Sequence, residues 1–150
     1  MFDHLHGGER VELNLKYAPT PEHAAALADL VVPVAREVSK ANVDYSPASL
    51  KEVDRIIENL RRDGVPLKQV AETLFSFGCY VGEVFVRHAG GSWRVGSDTP
   101  LAKFAGGPLV IQTGPEDFCN PVGKVFKRFE NGEEDGLEYF YTVFARKRQD

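Results

Sequence analysis

One long helical segment, beginning near Pro66 and ending near His88, constrains the fold most because it carries two glycines on its apolar side. At about 100° per residue, one face of this segment collects Leu67, Val70, Ala71, Leu74, Gly78, Val81, Gly82 and Phe85. Glycine costs roughly 1 kcal/mol relative to alanine inside a helix. We expect Gly78 and Gly82 to form a notch that another backbone or a large aromatic ring fills. The alternatives are a helix kink and a close approach by a ligand.

The opposite face of the same segment is polar. It carries Gln69, Glu72, Thr73, Ser76, Tyr80, Glu83 and Arg87. Tyr80, Glu83 and Arg87 follow one another at i+3 and i+4, and we call them the polar stripe. Val84 and Val86 flank the stripe with apolar surface, and Tyr and Arg are common in binding hot spots. We expect the polar stripe to bind a partner or ligand; the alternative is a solvated helix surface with an ordinary Glu–Arg pair.

Alternating and helical patterns predict the remaining elements. The predicted strands cover residues 10–17, 92–95, 108–113 and 116–119, and the other predicted helices cover residues 20–42, 46–64, 120–132 and 133–149. Pro33 lacks the N–H that a helix interior needs, so we expect a kink or break there. Ser46 and Asn120 stand at N-cap positions, each followed by a proline, and Gly64 suits the left-handed position that closes a helix.

Together these elements predict an α+β fold, with about five helices packed on a small antiparallel sheet and the glycine-bearing helix at the centre. We expect Leu13, Trp93 and Val110 to lie in strands of that sheet. Trp93 should pack under the preceding helix, as a lone tryptophan after two glycines usually does. The 150 residues contain neither an internal repeat nor a long linker, so we predict a single domain spanning residues 1–150.

The charge and hydropathy of the chain argue against two classes of function. The chain has 22 acidic and 18 basic residues and a formal net charge of −4, whereas a dedicated nucleic-acid-binding domain needs a basic face. No stretch approaches the ~20 apolar residues of a membrane span, and the first residues do not follow the pattern of a secretory signal. We expect a cytoplasmic protein that binds neither nucleic acid nor a membrane. The sequence does not determine whether it forms homo-oligomers.

A second candidate site lies on the predicted helix 120–132. Lys124, Lys127 and Arg128 share its polar face and form the best anion-binding patch in the sequence, with phosphate or nucleic acid as the ligand it would suit. Four acidic residues follow between positions 130 and 135, which is more typical of a solvated, charge-balanced surface. We take Lys124 and Arg128 as candidate binding residues beside the polar stripe.

Motifs for catalysis, cofactors and metals are missing from the sequence. It contains no GxSxG, no P-loop and no GxGxxG, and its four histidines lack metal-ligand spacing, so we predict no cofactor and no metal site. Cys79 and Cys119 form no CxxC pair, and we expect them to be buried, reduced thiols. Either cysteine could form a nucleophile–base pair with His88 only if the fold brought the two side chains together.

Four segments carry a family resemblance: "DYSPASLKEVD", "GCYVGEVFVR", the "GGSW" that follows it, and "NPVGKVFKRFENGEEDGL". They resemble uncharacterised bacterial proteins that are classed only as a domain of unknown function. The resemblance covers residues 43–144, so residues 1–42, with their predicted strand and helix, are expected to extend a core formed by residues 43–150. It implies a bacterial single-domain protein. It implies no activity, and no catalytic residue is carried over from it.

Two functions are compatible with these features. The first is a non-catalytic cytoplasmic domain that binds a protein partner, of an accessory or immunity type, which the missing catalytic motifs and the acidic charge favour. The alternative is a small ligand-binding protein or enzyme whose polar residues converge in the fold around Glu83, Arg87 and the loop of residues 97–107. A deep pocket holding Glu83 would favour the alternative.

Overall fold

The long apolar segment forms the central helix of the protein. The computed structural model describes residues 13–104 and 107–149. These residues form six α-helices: α1 (Ala24–Asp29), α2 (Val32–Val38), α3 (Leu50–Arg62), α4 (Leu67–His88), α5 (Pro121–Asn131) and α6 (Leu137–Gln149). They also form three strands: β1 (Ser92–Val95), β2 (Leu109–Gly114) and β3 (Asp117–Cys119). Helix α4 packs against α1, α5, α6 and the sheet, which confirms its predicted central position.

Local sequence signals determine where the helices begin and end. The predicted helix 20–42 is broken as expected, because α1 ends at Asp29 and α2 begins with Pro33 in its first turn. The Ser46 side chain accepts a hydrogen bond from the N–H of Ser49, and the Asn120 side chain accepts one from the N–H of Gly123. Gly64, just after α3, has a φ of 70°, the left-handed conformation predicted for it.

The two glycines of α4 lie where neighbouring groups approach most closely. A Cβ added at Gly78 would stand 2.5 Å from the Cα of Val122, at the start of α5. A Cβ added at Gly82 would overlap the six-membered ring of Trp93, which packs under α4 as predicted. Helix α4 is unbroken through both positions. The close-packing explanation is confirmed, with a backbone at one glycine and an aromatic ring at the other.

The sheet is antiparallel with the order β1-β2-β3, and its two faces have different neighbours. Trp93 pairs with Ile111, and both side chains face the helices. Arg94 pairs with Val110 on the other face. There Val110 is fully buried, and a Cβ added at Gly96 would lie 3.6 Å from its Cγ1 atom. Gly96, directly after β1, therefore lies against the face of the sheet that points away from α4.

The predicted strand at residues 10–17 is wrong over its described part. Leu13 is buried and Leu15 and Tyr17 pack partly buried against the core, so the alternation of burial is real, yet residues 13–17 belong to no strand. The N–H of Asn14 instead donates to the Glu72 carboxylate of α4 at 2.9 Å. Alternation shows that one side of a segment is buried; it does not show which group its backbone bonds. Residues 10–12 lie outside the described residues.

A common apolar core joins the helices to the sheet. The N-terminal part contributes Leu13, Ala24, Leu27, Ala28, Val31, Ala35 and Ala41 to it. The described portion of residues 1–42 is therefore packed into the same core as the rest of the chain, and the α+β fold with helices on a small antiparallel sheet is confirmed. Although α4 is the longest helix, no helix of the described ranges is long and apolar enough to span a membrane.

Candidate functional site

The polar stripe of α4 is mostly covered. Tyr80 is fully buried, Glu83 is 6% exposed, and only Arg87 reaches the surface, with 40% of its side chain exposed. The expectation that this face of α4 is an accessible surface is therefore wrong for two of its three residues. The physical reason is that residues 44–49 and the end of α1 pack over this side of α4 and supply hydrogen-bond partners for its polar groups.

The Tyr80 hydroxyl joins α4 to the segment that precedes α3. It accepts a hydrogen bond from the backbone N–H of Tyr45 at 2.8 Å and lies 2.7 Å from the Ser49 hydroxyl. Ser49 donates its single hydroxyl proton to the carbonyl of Ser46 at 2.6 Å, so Tyr80 is the donor to Ser49. One buried hydroxyl thus satisfies a backbone N–H and fixes the position of the chain around Tyr45.

Tyr45 lies over the polar stripe in a strained backbone conformation. Its φ of 65° lies in the left-handed region, which costs a residue other than glycine roughly 1–3 kcal/mol. Its ring stacks on that of Tyr80 with 4.4 Å between centroids, and its hydroxyl donates to Asp29 Oδ1 at 2.5 Å. Burial, followed by the Asp29 carboxylate, raises the pKa of Tyr45, and burial raises the pKa of Tyr80. Both phenols therefore stay protonated at neutral pH.

Glu83 links the sheet to the exposed end of the stripe. Its two carboxylate oxygens accept from Trp93 Nε1 at 2.8 Å and from Arg87 Nε at 3.3 Å. The guanidinium carbon of Arg87 lies 3.6 Å from the centroid of the Tyr45 ring. The Tyr80 ring and the Arg87 guanidinium both lie too close to the Tyr45 ring to occupy the same face of it. The Tyr45 ring therefore lies between them. We call Tyr80, Tyr45 and Arg87 the Arg87 column.

Removing the Tyr80 hydroxyl should destabilise the protein without disturbing its shape. Tyr80→Phe keeps the stacked ring but leaves the buried N–H of Tyr45 without an acceptor, at a cost of about 1.5 kcal/mol. Urea unfolding followed by circular dichroism measures the change. Tyr139→Phe is the matched control, because Tyr139 is 73% exposed, and its stability should not change. Equal stability of the two variants would contradict the role given to the Tyr80 hydroxyl.

The three cations of α5 do not form an open anion-binding patch. Lys124 Nζ lies 2.6 Å from Asp135 Oδ1, and the side chain of Arg128 is only 5% exposed. Lys127 alone is exposed on this helix face. The predicted patch fails because Arg128 is buried against carboxylates of α3, and Lys124 is paired with an acid that follows α5 in the chain.

The alternative site around Glu83, Arg87 and the loop of residues 97–107 is not assembled by the described residues. Within the described part of the loop, Thr99 is buried and its hydroxyl donates to the Gly96 carbonyl at 2.8 Å. Glu83 bonds to Trp93 on the inner face. Among the described residues, no hydrogen bond joins the loop to Glu83 or Arg87, which are bonded to each other, to Trp93 and to the Tyr45 ring.

The cysteines do not provide a nucleophile. Cys79 and Cys119 are free and buried, as predicted. Burial raises the pKa of both thiols, so little reactive thiolate forms at neutral pH. His88 is exposed at the end of α4, whereas both sulfurs lie in the core. Within the part of the chain that the structure describes, no group of three or more His, Cys, Asp or Glu side chains could hold a metal ion.

A shallow groove of about 390 Å³ lies at the end of the sheet, beyond the last turn of α4. It is lined by Gly90, Ser92, Gln112, Thr113, Gly114 and Pro115. The Gln112 side chain accepts from Arg94 Nη1 at 2.6 Å and donates to the Gly114 carbonyl at 3.0 Å. Both the oxygen and the nitrogen of the Gln112 amide thus already have partners within the protein. Glu83 does not line this groove.

Helical spacing identifies the polar stripe but not the residues that cover it. Tyr45, Ser49 and Asp29 lie 31 or more positions from Tyr80, too far for any helical spacing rule. One local signal existed, because Tyr45 directly precedes the N-cap Ser46, where an apolar side chain often folds back on its own helix. In this protein the ring packs on α4 instead, so the signal indicates burial without identifying the partner.

Comparisons with known proteins add no evidence on function to the geometry of the polar stripe. No protein-family model, no curated protein and no solved structure matches the chain. The resemblance to uncharacterised bacterial proteins therefore stays a prediction. The partly exposed side chain of Arg87 is held by the buried carboxylate of Glu83 and by the ring of Tyr45.

Proposed function

We propose that this chain is a non-catalytic bacterial protein that binds a protein partner in the cytoplasm, as an accessory or immunity-type domain, with Arg87 at the centre of the contact surface. One observation carries the proposal: Arg87 is exposed, yet it is held by Glu83 through Nε and by the Tyr45 ring beneath its guanidinium. A free arginine side chain has about 2 kcal/mol of rotamer entropy to lose on binding. An arginine that is already ordered loses less, and binding is correspondingly tighter.

The surrounding fold supports a binding role because holding Arg87 has a cost in stability. Tyr45 adopts a strained conformation, and Glu83 is taken out of water. An arginine that was only solvated would require neither a strained tyrosine nor a buried glutamate. Strained residues often occur at binding sites, where the strain holds a contact group in place. Arginine and tyrosine are also among the residues that contribute most to protein–protein contacts.

Catalysis receives less support from the same groups. Tyr45 and Tyr80 stay protonated because their pKa values are raised, and the two thiols are buried with raised pKa values. Both Glu83 oxygens accept hydrogen bonds from neighbouring side chains. A general acid or base has to reach a substrate, and these groups are turned inward.

Arg87→Ala should weaken partner binding about thirtyfold or more and leave the fold intact. The wild-type protein is immobilised and used to capture a partner from the lysate of its source organism, and the affinity of the purified partner is then measured for each variant. Loss of a central hot-spot arginine corresponds to about 2 kcal/mol or more, which is roughly a thirtyfold weaker Kd. Thermal unfolding of the variant verifies that it is folded.

Arg62→Ala is the matched control for this experiment. Arg62 is also exposed and also donates Nε to a glutamate four residues earlier, Glu58, at 2.8 Å. The control should bind the partner like the wild type, because Arg62 lies on a different helix. A partner that binds Arg87→Ala with unchanged affinity contradicts the proposed surface, and so does the failure of the wild-type protein to capture any protein saturably.

A further inference from the structure

The Arg87 column is a stack of planar groups that ends at the surface. The buried Tyr80 ring forms its inner end, Tyr45 is the middle layer, and the guanidinium of Arg87 is the outer layer. Tyr45 covers one face of the guanidinium. The Arg87 side chain is 40% exposed, and the face of its guanidinium that points away from Tyr45 is the face left for a partner. A partner can add to the column at this position.

The charge of Arg87 is already balanced before any partner arrives. Glu83 accepts from its Nε, and Asp29 lies next to the same ring, where it accepts from the Tyr45 hydroxyl. A partner carboxylate at Arg87 would meet these two carboxylates as well as the guanidinium. Like charges brought together at an interface are unfavourable, so the site is poorly suited to an acidic partner group.

We infer that the partner covers Arg87 with an uncharged aromatic side chain, which stacks on the outer face of the guanidinium and becomes the next layer of the column. This inference rests on the proposed function. Guanidinium groups stack on aromatic faces, and the attraction increases when the contact is shielded from water. The neutral Glu83–Arg87 pair favours this kind of contact, because stacking does not require an unbalanced positive charge.

Small-molecule probes test the chemistry of the site without knowledge of the partner. The ¹⁵N-labelled protein is titrated with N-acetyltryptophanamide, N-acetylleucinamide or sodium acetate at constant ionic strength, and the Nε–H signals of its arginines are followed by NMR. The aromatic probe should shift the Arg87 signal saturably, several-fold more than either other probe. Arg62 is an internal control in the same spectrum, because its Nε is paired with a glutamate in the same way.

Three outcomes overturn the inference. A larger response to acetate than to the aromatic amide would identify a carboxylate site, and equal responses of Arg87 and Arg62 would indicate non-specific contact. The inference would also be excluded if the Arg87 signal did not respond up to the solubility limit of the aromatic probe. The aromatic probe should also shift the ¹H signals of the Tyr45 ring in the wild type. In Arg87→Lys, which keeps the charge without the planar face, it should no longer do so.

The two proposals can fail separately. If Arg87→Ala loses the partner while the aromatic probe has no effect on Arg87, the protein-binding function holds and the aromatic contact is wrong. If the probe stacks on Arg87 while Arg87→Ala keeps full affinity for the partner, the contact chemistry holds and the proposed surface is wrong.

Discussion

Arg128→Met is expected to lower the free energy of unfolding by about 3–5 kcal/mol, the usual cost of removing one partner from a buried ion pair. Arg128 lies in α5 and donates to two carboxylates of α3: Nη1 to Glu58 at 2.7 Å and Nε to Asp54 at 3.0 Å. Asp54 also accepts the N–H groups of Leu137 and Glu138, at the start of α6. Without Arg128, the carboxylates of Asp54 and Glu58 remain partly buried and lose the cation that joins α5 to α3.

Urea unfolding followed by circular dichroism measures the effect of Arg128→Met. Arg62→Ala serves again as the control, because it removes a 69% exposed arginine from the same Glu58, and exposed pairs contribute about 1 kcal/mol at most. A loss below that value for Arg128→Met would contradict the structural role of the buried arginine.

The pH dependence of stability provides a second check on the same variant. The hydrogen bond from Arg128, followed by that from Arg62, lowers the pKa of Glu58 below its ordinary value of 4.5. A lowered folded-state pKa contributes stability above pH 4.5 that is lost as the pH falls through the folded-state value. We expect the wild type to lose stability below about pH 4.5, and Arg128→Met to lose less over the same range because its Glu58 pKa is closer to the unfolded value.

The polar residues illustrate what a sequence pattern can and cannot predict. Spacing places Tyr80, Glu83 and Arg87 on one face of a helix, and they do share that face. Whether that face meets solvent depends on residues far away in the chain, since Tyr45 covers it from 35 positions earlier. In the same way, helical spacing groups Arg128 with Lys124 and Lys127, whereas the structure pairs it with Asp54 across 74 positions. Side-chain partners at such separations have no periodic signature.

The apolar pattern was the more reliable guide, because burial is a property of each face of an element. The glycine face of α4, the break at Pro33 and the caps at Ser46 and Asn120 were all predicted from local residues and confirmed. The strand around Leu13 failed because its alternation arises from packing on the core, while its backbone bonds to a side chain. Periodicity predicts which side is buried and leaves the hydrogen-bond partner open.

Gly78→Leu is expected to destabilise the protein by about 2 kcal/mol, although leucine is the better helix former. The leucine gains roughly 1 kcal/mol in helix propensity. Overpacking costs typically about 1–3 kcal/mol, and the upper value applies here because the nearest obstacle is the Val122 backbone, which cannot rotate away. Helix α5 has to shift as a unit, and it carries Arg128 with it, so the ion pairs with α3 are weakened as well.

Chemical unfolding followed by the fluorescence of Trp93, the only tryptophan in the sequence, measures the effect of Gly78→Leu. Gly136→Ala is the matched control, since a Cβ at Gly136 would meet its nearest neighbour at an ordinary 3.5 Å and its backbone has a negative φ. The control should change stability by less than about 0.5 kcal/mol, as substitutions away from packed positions usually do. If Gly78→Leu were as stable as the wild type, α5 could move away from α4 without loss, and the glycine would not be required for packing.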